Sequence, residues 1–274
     1  MLEKVYLLKG SQTVEIGEYL NVKVLGFKRE APNLESQYIS FEGSDGSDLV
    51  SSVYKTFILS MGMYIRSEND YDFELKLNNI LTFFYDREPY YLVREKEPGK
   101  RYKVMPLPYD ESKLNDNNGT IKIDFEVFEG HAESLATTLS GEGFNDNIFQ
   151  FGQGLPMEDY EYQHKTNNFV IYNAGDFTVD PREHELKIIV KGVSEGGLNI
   201  FNKTTGERFI YNGSLYSTKG EVLTVEGVYP YKNGVNFGIN TNGGLISLVP
   251  GVNEIEVTNI TRVDVGFDFR FLYK

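Results

Sequence analysis

Residues 34–66 read LESQYISFEGSDGSDLVSSVYKTFILSMGMYIR, in which two runs rich in Tyr, Ile, Phe and Val flank Gly43-Ser44-Asp45-Gly46-Ser47-Asp48. Those six small or acidic residues supply the positive φ angles and the side-chain-to-backbone bonds that a chain reversal needs. The stretch predicts one long β-hairpin reaching Arg66, with its tip at 43–48. Its strands carry Tyr38, Phe41, Tyr54, Phe57 and Tyr64 on both faces, more aromatic surface than a single core uses. One face is therefore expected to meet another subunit or domain, and these five are the candidate interface residues.

Around this stretch the chain is 274 residues long, enough for two domains of roughly 100–150 residues. Its net charge is −13 and its pI near 4.8. A polyanion repels phosphate backbones, which excludes sequence-general nucleic-acid binding. Without cysteine there is no disulfide framework, thiolate metal site or thiol nucleophile. The opening MLEKVYLLKGSQTVEIGEYL has no basic segment leading into an apolar run, and no apolar stretch approaches the ~20 residues of a membrane span. A soluble protein outside the secretory route is expected. The Asn-x-Ser/Thr matches at Asn118, Asn202, Asn212 and Asn259 then read as turn chemistry rather than glycosylation sites. Aromatic residues make up 14 % of the chain, all Tyr and Phe, because tryptophan is absent.

Before the hairpin, KVYLLKG and EYLNVKVLGF read as two short strands and KREAPN as a loop broken by Pro32. After it, capping side chains at 67–70 precede Phe73, Leu77, Ile80, Leu81 and Phe84 at three- and four-residue spacing, which predicts a helix over 71–85. The opening YDFELKL also alternates at period two, so a strand turning into a short helix is the competing reading. Tyr90-Tyr91-Leu92-Val93 returns to strand. Within 94–119 only RYKVM predicts a strand, and Asn118-Gly119 reads as a tight turn into TIKIDFEVFEG. There Ile121, Ile123, Phe125 and Val127 share one face and Lys122, Asp124 and Glu126 the other.

Composition changes after His131. Residues 134–153, rich in Gly, Ser, Thr and Asn, read as a connection between domains. Beyond it come NNFVIYNAG, HELKIIVKGV, GLNIFN, ERFIYNG, EVLTVEG, GLISLVPG, NEIEVTNI and VDVGFDFRFLYK. Short strands at this spacing, without helical periodicity, predict a β-sandwich or barrel. In the last of them Val263, Val265, Phe267, Phe269 and Phe271 share a face opposite Asp264, Asp268 and Arg270.

The order FEGSDGSDL, YDFELKLNNILTFF, EPYYLVRE and GTIKIDFEVFEGHAES resembles the distal tail protein (Dit) family of long-tailed siphovirus bacteriophages of Gram-positive hosts. NAG…LKIIVKG…FNKTTGERFIYNG…LVPGVNEIEV is similar to the galectin-like module of that family, with Pro250-Gly251 turning into a final pair of strands. The resemblance implies a mainly β chain. Residues 1–133 would be a ring-forming β-sandwich or barrel with a long hairpin and one helix, and 134–274 a galectin-like β-sandwich. It further implies a structural homohexamer at the virion tail tip, made in the host cytoplasm. Such a hub joins the tail tube protein to a tail-associated tip protein and to receptor-binding protein, and DNA only passes through its channel. No cofactor, metal, membrane or enzymatic activity is expected.

A calcium loop with Gly119 at the glycine position would place its end ligands on Leu114 and Phe125, which carry none. Glu183-His184-Glu185 lacks the second histidine of a zinc-protease helix, since position 188 is isoleucine, and reads as a solvated turn. His131 and His164 have no recognisable partners and read as surface or interdomain residues. Asp124, Glu126, Asp264 and Asp268 read as solvated strand faces rather than a glycosidase pair. Gly141-Glu142-Gly143 and Gly152-Gln153-Gly154 read as linker glycine, not a phosphate cradle. The alternative function is an autonomous carbohydrate-binding adhesin using the second domain, with Tyr211, Tyr216, Tyr229 and Tyr231 as possible sugar platforms. Against it stand the missing tryptophan and histidines, at 164 and 184, that lie outside the strands where a galectin site forms.

Overall fold

Val5 and Leu7 alternate with more exposed neighbours, and this period-two pattern forms β1 (Val5–Lys9), paired with β2 (Gln12–Glu15). The structure, a computed structural model, describes residues 3–115, 117–140 and 160–274. It divides into two units, Met1–Glu133 with Lys274, and Ser134–Tyr273.

In the first unit a single helical turn, α1 (Ile16–Leu20), stands where the sequence suggested strand. The Glu15 carboxylate accepts from the backbone N–H groups of Gly17 and Glu18 (3.1 and 2.8 Å), and Asn21 ends the turn in the left-handed region (φ 51°). Local capping at both ends thus overrides the strand pattern. There follow β3 (Lys23–Arg29), β4 (Asn33–Ile39), β5 (Asp48–Lys55) and β6 (Phe57–Arg66). The helix α2 (Asp70–Phe84) lies where its periodicity places it. Asn69 caps it, accepting from the Asp72 N–H at 3.0 Å, and Phe73, Leu77, Ile80 and Phe84 form its buried face. The competing strand reading of YDFELKL fails because those residues hold the helical period from the cap onward.

Next come β7 (Tyr90–Arg94), β8 (Glu97–Asn115), β9 (Asn118–Val127) and β10 (Ala132–Ser134). Hydrogen-bonded neighbours run β2-β1-β7-β8-β9-β6-β3. The strand β8 is far longer than the RYKVM segment expected. Its first part pairs with β7, and from Met105 onward it pairs with β9. The register slips between Pro106 and Tyr109, where Pro106 and Pro108 have no N–H to give, and such bulges let one strand serve two partners. Gly119 is not the turn glycine it was read as. The reversal lies before it, between the paired Asn115 and Asn118, and Gly119 sits inside β9 opposite Ile65. A Cβ there would lie 2.7 Å from the buried Phe73 ring, so this glycine serves the packing of α2 on the sheet.

The core of this unit is the shared inner face of β6 and β9. Phe57, Leu59, Met61 and Met63 stand opposite Val127, Phe125, Ile123 and Ile121, all buried. Each contributes about 1.5–3 kcal/mol from burial. Phe84 of α2 meets Phe125 edge-on at 5.5 Å, and the Tyr90 hydroxyl donates to the Phe84 carbonyl at 3.0 Å.

The second unit contains β11 (Gln163–His164), β12 (Asn168–Asn173), β13 (Leu186–Ser194), β14 (Leu198–Asn202), β15 (Arg208–Tyr211) and β16 (Leu215–Tyr216). It continues with β17 (Leu223–Glu226), β18 (Tyr229–Lys232), β19 (Val235–Asn236), β20 (Gly251–Thr258), β21 (Thr261–Phe269) and β22 (Leu272–Tyr273). One sheet runs β11-β21-β13-β17-β18-β19, with β16 on β13, and the other runs β12-β20-β14-β15. Phe169 of one meets Phe267 of the other at 6.1 Å, as in a sandwich. The last two long strands, β20 and β21, are not a hairpin: they belong to opposite sheets and join through Asn259 in the left-handed region (φ 59°).

GLISLVPG is not a strand. Apart from a bridge between Val179 and Leu248, side chains satisfy this segment. Asn202 Nδ2 donates to the Ser247 carbonyl (2.8 Å) and to Asn253 Oδ1 (3.2 Å). Asn253 also accepts from the Val249 N–H (3.0 Å) and donates back to the Val249 carbonyl (2.8 Å). Asn173 donates to the Leu248 carbonyl (2.9 Å), and the Glu207 carboxylate accepts from the Ser247 N–H and hydroxyl (both 2.6 Å). Asn173, Asn202 and Asn253 are all buried, so each bond replaces one that water would otherwise make. The first residues of the expected connection are likewise ordered along β21: the Thr138 N–H donates to the Phe269 carbonyl (3.0 Å) and its hydroxyl to that of Phe267 (2.7 Å). The remainder of it, with both glycine triplets, lies outside the described residues.

Three substitutions test this packing, the two at glycine by urea titration. Gly119→Ala is expected to cost about 1–3 kcal/mol by overpacking against Phe73. Gly62→Ala, where a Cβ meets nothing within 4 Å, should stay within about 0.5 kcal/mol of the parent in the same urea titration. Asn253→Leu, which leaves one Asn202 N–H and the Val249 N–H and carbonyl without their partner, is expected to cost about 3 kcal/mol, read as a lowered midpoint in calorimetry.

Candidate interaction surface

The strands β4 and β5 pair only with each other, from Asn33↔Lys55 to Ile39↔Asp48, and form a two-stranded sheet of their own. Gly43 (φ 85°) and Gly46 (φ 83°) shape the tip, where the Ser44 N–H donates to the Phe41 carbonyl at 3.2 Å. Directly opposed residues share a face. Leu34 faces Tyr54, Ser36 bonds Ser52 across the ribbon at 2.9 Å, and past a bulge at Gln37 and Tyr38 the latter faces Leu49. The other face is more polar, with Gln37 and an ion pair between Glu35 and Lys55 at 3.3 Å. Tyr38 is 63 % exposed, Phe41 57 % and Leu49 58 %, and Leu34, Val50 and Val53 are exposed as well. A two-stranded ribbon is marginal by itself in water, and this one carries several large apolar side chains in the open.

Two of the five candidate residues are not on this ribbon. Phe57 is only 3 % exposed and belongs to the core, because the hairpin ends at Lys55 and β6 turns away to pair with β3 and β9. Tyr64 is half-buried on β6, its hydroxyl donating to Asn118 Oδ1 at 2.5 Å. Tyr38, Phe41 and the half-buried Tyr54 remain on the ribbon. Sequence reasoning passed over Leu34, Leu49, Val50 and Val53, although their place around the glycine-aspartate tip was the available signal.

The histidines have partners that the sequence did not reveal. His164 stacks on Phe169 at 4.2 Å, and burial pushes its pKa below the ordinary value. His184 Nδ1 accepts from the Asp180 N–H at 3.1 Å within its turn. The same turn borders an open cleft of about 680 Å³ in the second unit, whose lining includes Arg182, Glu183, Glu185, Tyr229 and Arg270. Of the four tyrosines named as sugar platforms, Tyr211 is 2 % exposed and part of the core. Tyr216 donates its hydroxyl to Glu195 (2.7 Å), which raises its pKa. Tyr231 is half-buried, and Tyr229 is 58 % exposed. His131 lies with Glu129 and Glu133 in a group whose ligand atoms all fall within 4.8 Å of one another. No helix among the described residues is long and apolar enough to cross a membrane.

Residues 12–127 match the family model of the phage tail protein RIFT-related domain. The crystal structure of Dit (gp 19.1) of phage SPP1 matches with a TM-score of 0.69 at 11 % identity, over 97 % of this chain and 99 % of that one. The fold is that of a siphophage distal tail protein. The activated baseplate of phage P2 also aligns, in its calcium form with TM-score 0.45 at 9 % identity, over 99 % of this chain and 98 % of that one. Its strontium form aligns with TM-score 0.46 at 8 % identity, over 98 % of each. No curated protein matches the chain. The mainly β architecture expected from the sequence is thus present, and the distal tail resemblance is met by both the domain match and the fold.

Proposed function

We propose that this chain is a structural distal tail protein, non-enzymatic, whose six copies form a hub at the virion tail tip. The observation that carries the reading is the end-to-end likeness to the SPP1 protein, described as a paradigm of the hub adsorption apparatus in phages that infect Gram-positive bacteria. In this reading the first unit closes the ring and the second is a galectin-like module that docks tip and receptor-binding proteins. The exposed face of the β4–β5 ribbon, with Leu34, Tyr38 and Leu49, packs on the neighbouring copy, since a closed ring buries what one copy leaves open. The acidic balance of −13 per copy keeps passing DNA from adhering to the channel wall.

Multi-angle light scattering of the full chain over a range of concentrations, with and without the tail tube and tip proteins, is expected to show a hexamer. Tyr38→Ser combined with Leu49→Ser should leave the unfolding midpoint within about 0.5 kcal/mol of the parent yet abolish assembly. A chain that stays monomeric throughout and joins no tail protein defeats the hub reading.

A second reading, a saccharide-binding adhesin, draws on the cleft that gathers Tyr229, His184 and Arg182. Docking is the role favoured here, because galectin sites use a tryptophan that the chain lacks. Titration calorimetry of the full chain with host wall polysaccharide should therefore give no saturable heat. Micromolar binding, roughly −8 kcal/mol, that Tyr229→Ala removes would transfer the second unit to the adhesin reading.

A further inference from the structure

We infer that Glu129, His131 and Glu133 form a binding site for a divalent transition metal of the zinc class. Their nitrogen and oxygen ligand atoms lie within 4.8 Å of one another, and all three residues are half-buried. The chain folds them together just past β9. The Gly130 N–H donates to the Val127 carbonyl at 3.3 Å, and Gly130 takes φ 73° at a point where a Cβ would stand 3.0 Å from the Lys55 carbonyl oxygen. Ligand atoms on one tetrahedral zinc, with bonds of about 2.0–2.2 Å, stand about 3.4 Å apart. The set therefore has to tighten by at most about 1.4 Å, within the reach of glutamate side-chain rotation.

One imidazole with two carboxylates suits zinc, cobalt, nickel or manganese better than calcium, which prefers a larger all-oxygen shell. Two neighbouring cations bond the carboxylates of this set. Lys103 Nζ meets Oε1 of Glu129 at 2.6 Å, and Arg101 Nη2 and Nε meet Oε2 of Glu133 at 2.6 and 2.8 Å. These contacts engage one oxygen of each carboxylate and orient the other, as outer-shell partners do in metal sites. Arg101 is itself held against the Tyr91 ring at 3.9 Å. Their two positive charges also oppose a dication, so binding is set in the micromolar range and not at the strength of a closed structural site. The similar-looking Glu183-His184-Glu185 does not converge in this way.

The test uses the full chain stripped with EDTA and titrated with zinc chloride against a chromogenic chelator. Saturable uptake at one site per chain is expected, reduced about tenfold or more in H131Q and in E133Q and unchanged in H184A. K103M is expected to bind zinc about tenfold tighter, because an opposing charge a few ångströms from the ion is gone. Far-UV circular dichroism checks that each variant is folded, and either H131Q or E133Q suffices if the other is not. Absence of saturable uptake by the parent, uptake unaffected by H131Q and E133Q, or K103M binding no tighter than the parent overturns the site and leaves a plain ion-pair cluster.

Discussion

Ten consecutive residues of β6 pair with β9, from Phe57↔Val127 to Arg66↔Asn118, and the first unit depends on that register. It places five alternate side chains of β6 against the alternate apolar face of β9 and gives α2 a floor to pack on. A slip by one residue would turn every one of those side chains outward. The same pairing removes β6 from the hairpin in which the sequence seemed to place it. What is left of that hairpin, β4 and β5, then has no third strand and no core of its own, so its apolar side chains stay exposed.

In the second unit the corresponding constraint is polar. The segment between Gly244 and Gly251 makes one isolated bridge and no ladder, and three buried asparagines with Glu207 take the place of a partner strand. Backbone groups removed from water must be bonded by something, and here side chains from β12, β14 and β20 provide the bonds. The arrangement ties three strands of one sheet to a single irregular stretch.

Most strands and the long helix were legible because period and capping are local signals. Asn69 with Phe73, Leu77, Ile80 and Phe84 pointed to a helix, against a competing strand reading of YDFELKL, and Ile121 to Val127 alternate as a half-buried strand does. The misplaced elements had signals that conflicted or were not local. Glu15 and Asn21 cap a turn too short to show a period, and the charged second half of β8 is a strand only because β9 lies beside it. Gly119 could be told from a turn glycine only by the ring of Phe73, more than forty residues earlier in the chain.

By itself, then, the sequence determined a mainly β chain, acidic and free of cysteine, with its alternating faces, its one long helix and its glycine-aspartate tip. Each of these follows from side-chain chemistry and spacing within a few residues. Tertiary structure alone decided which strands pair, and so which aromatics are core and which are surface. Phe57 and Tyr38 read alike along the chain and end at opposite extremes of burial, because pairing between distant strands is set by the fit of whole faces. Tertiary structure also assembled His131 with Glu129 and Glu133 under Arg101 and Lys103, since the turn at Gly130 and the strand β8 meet there only after folding.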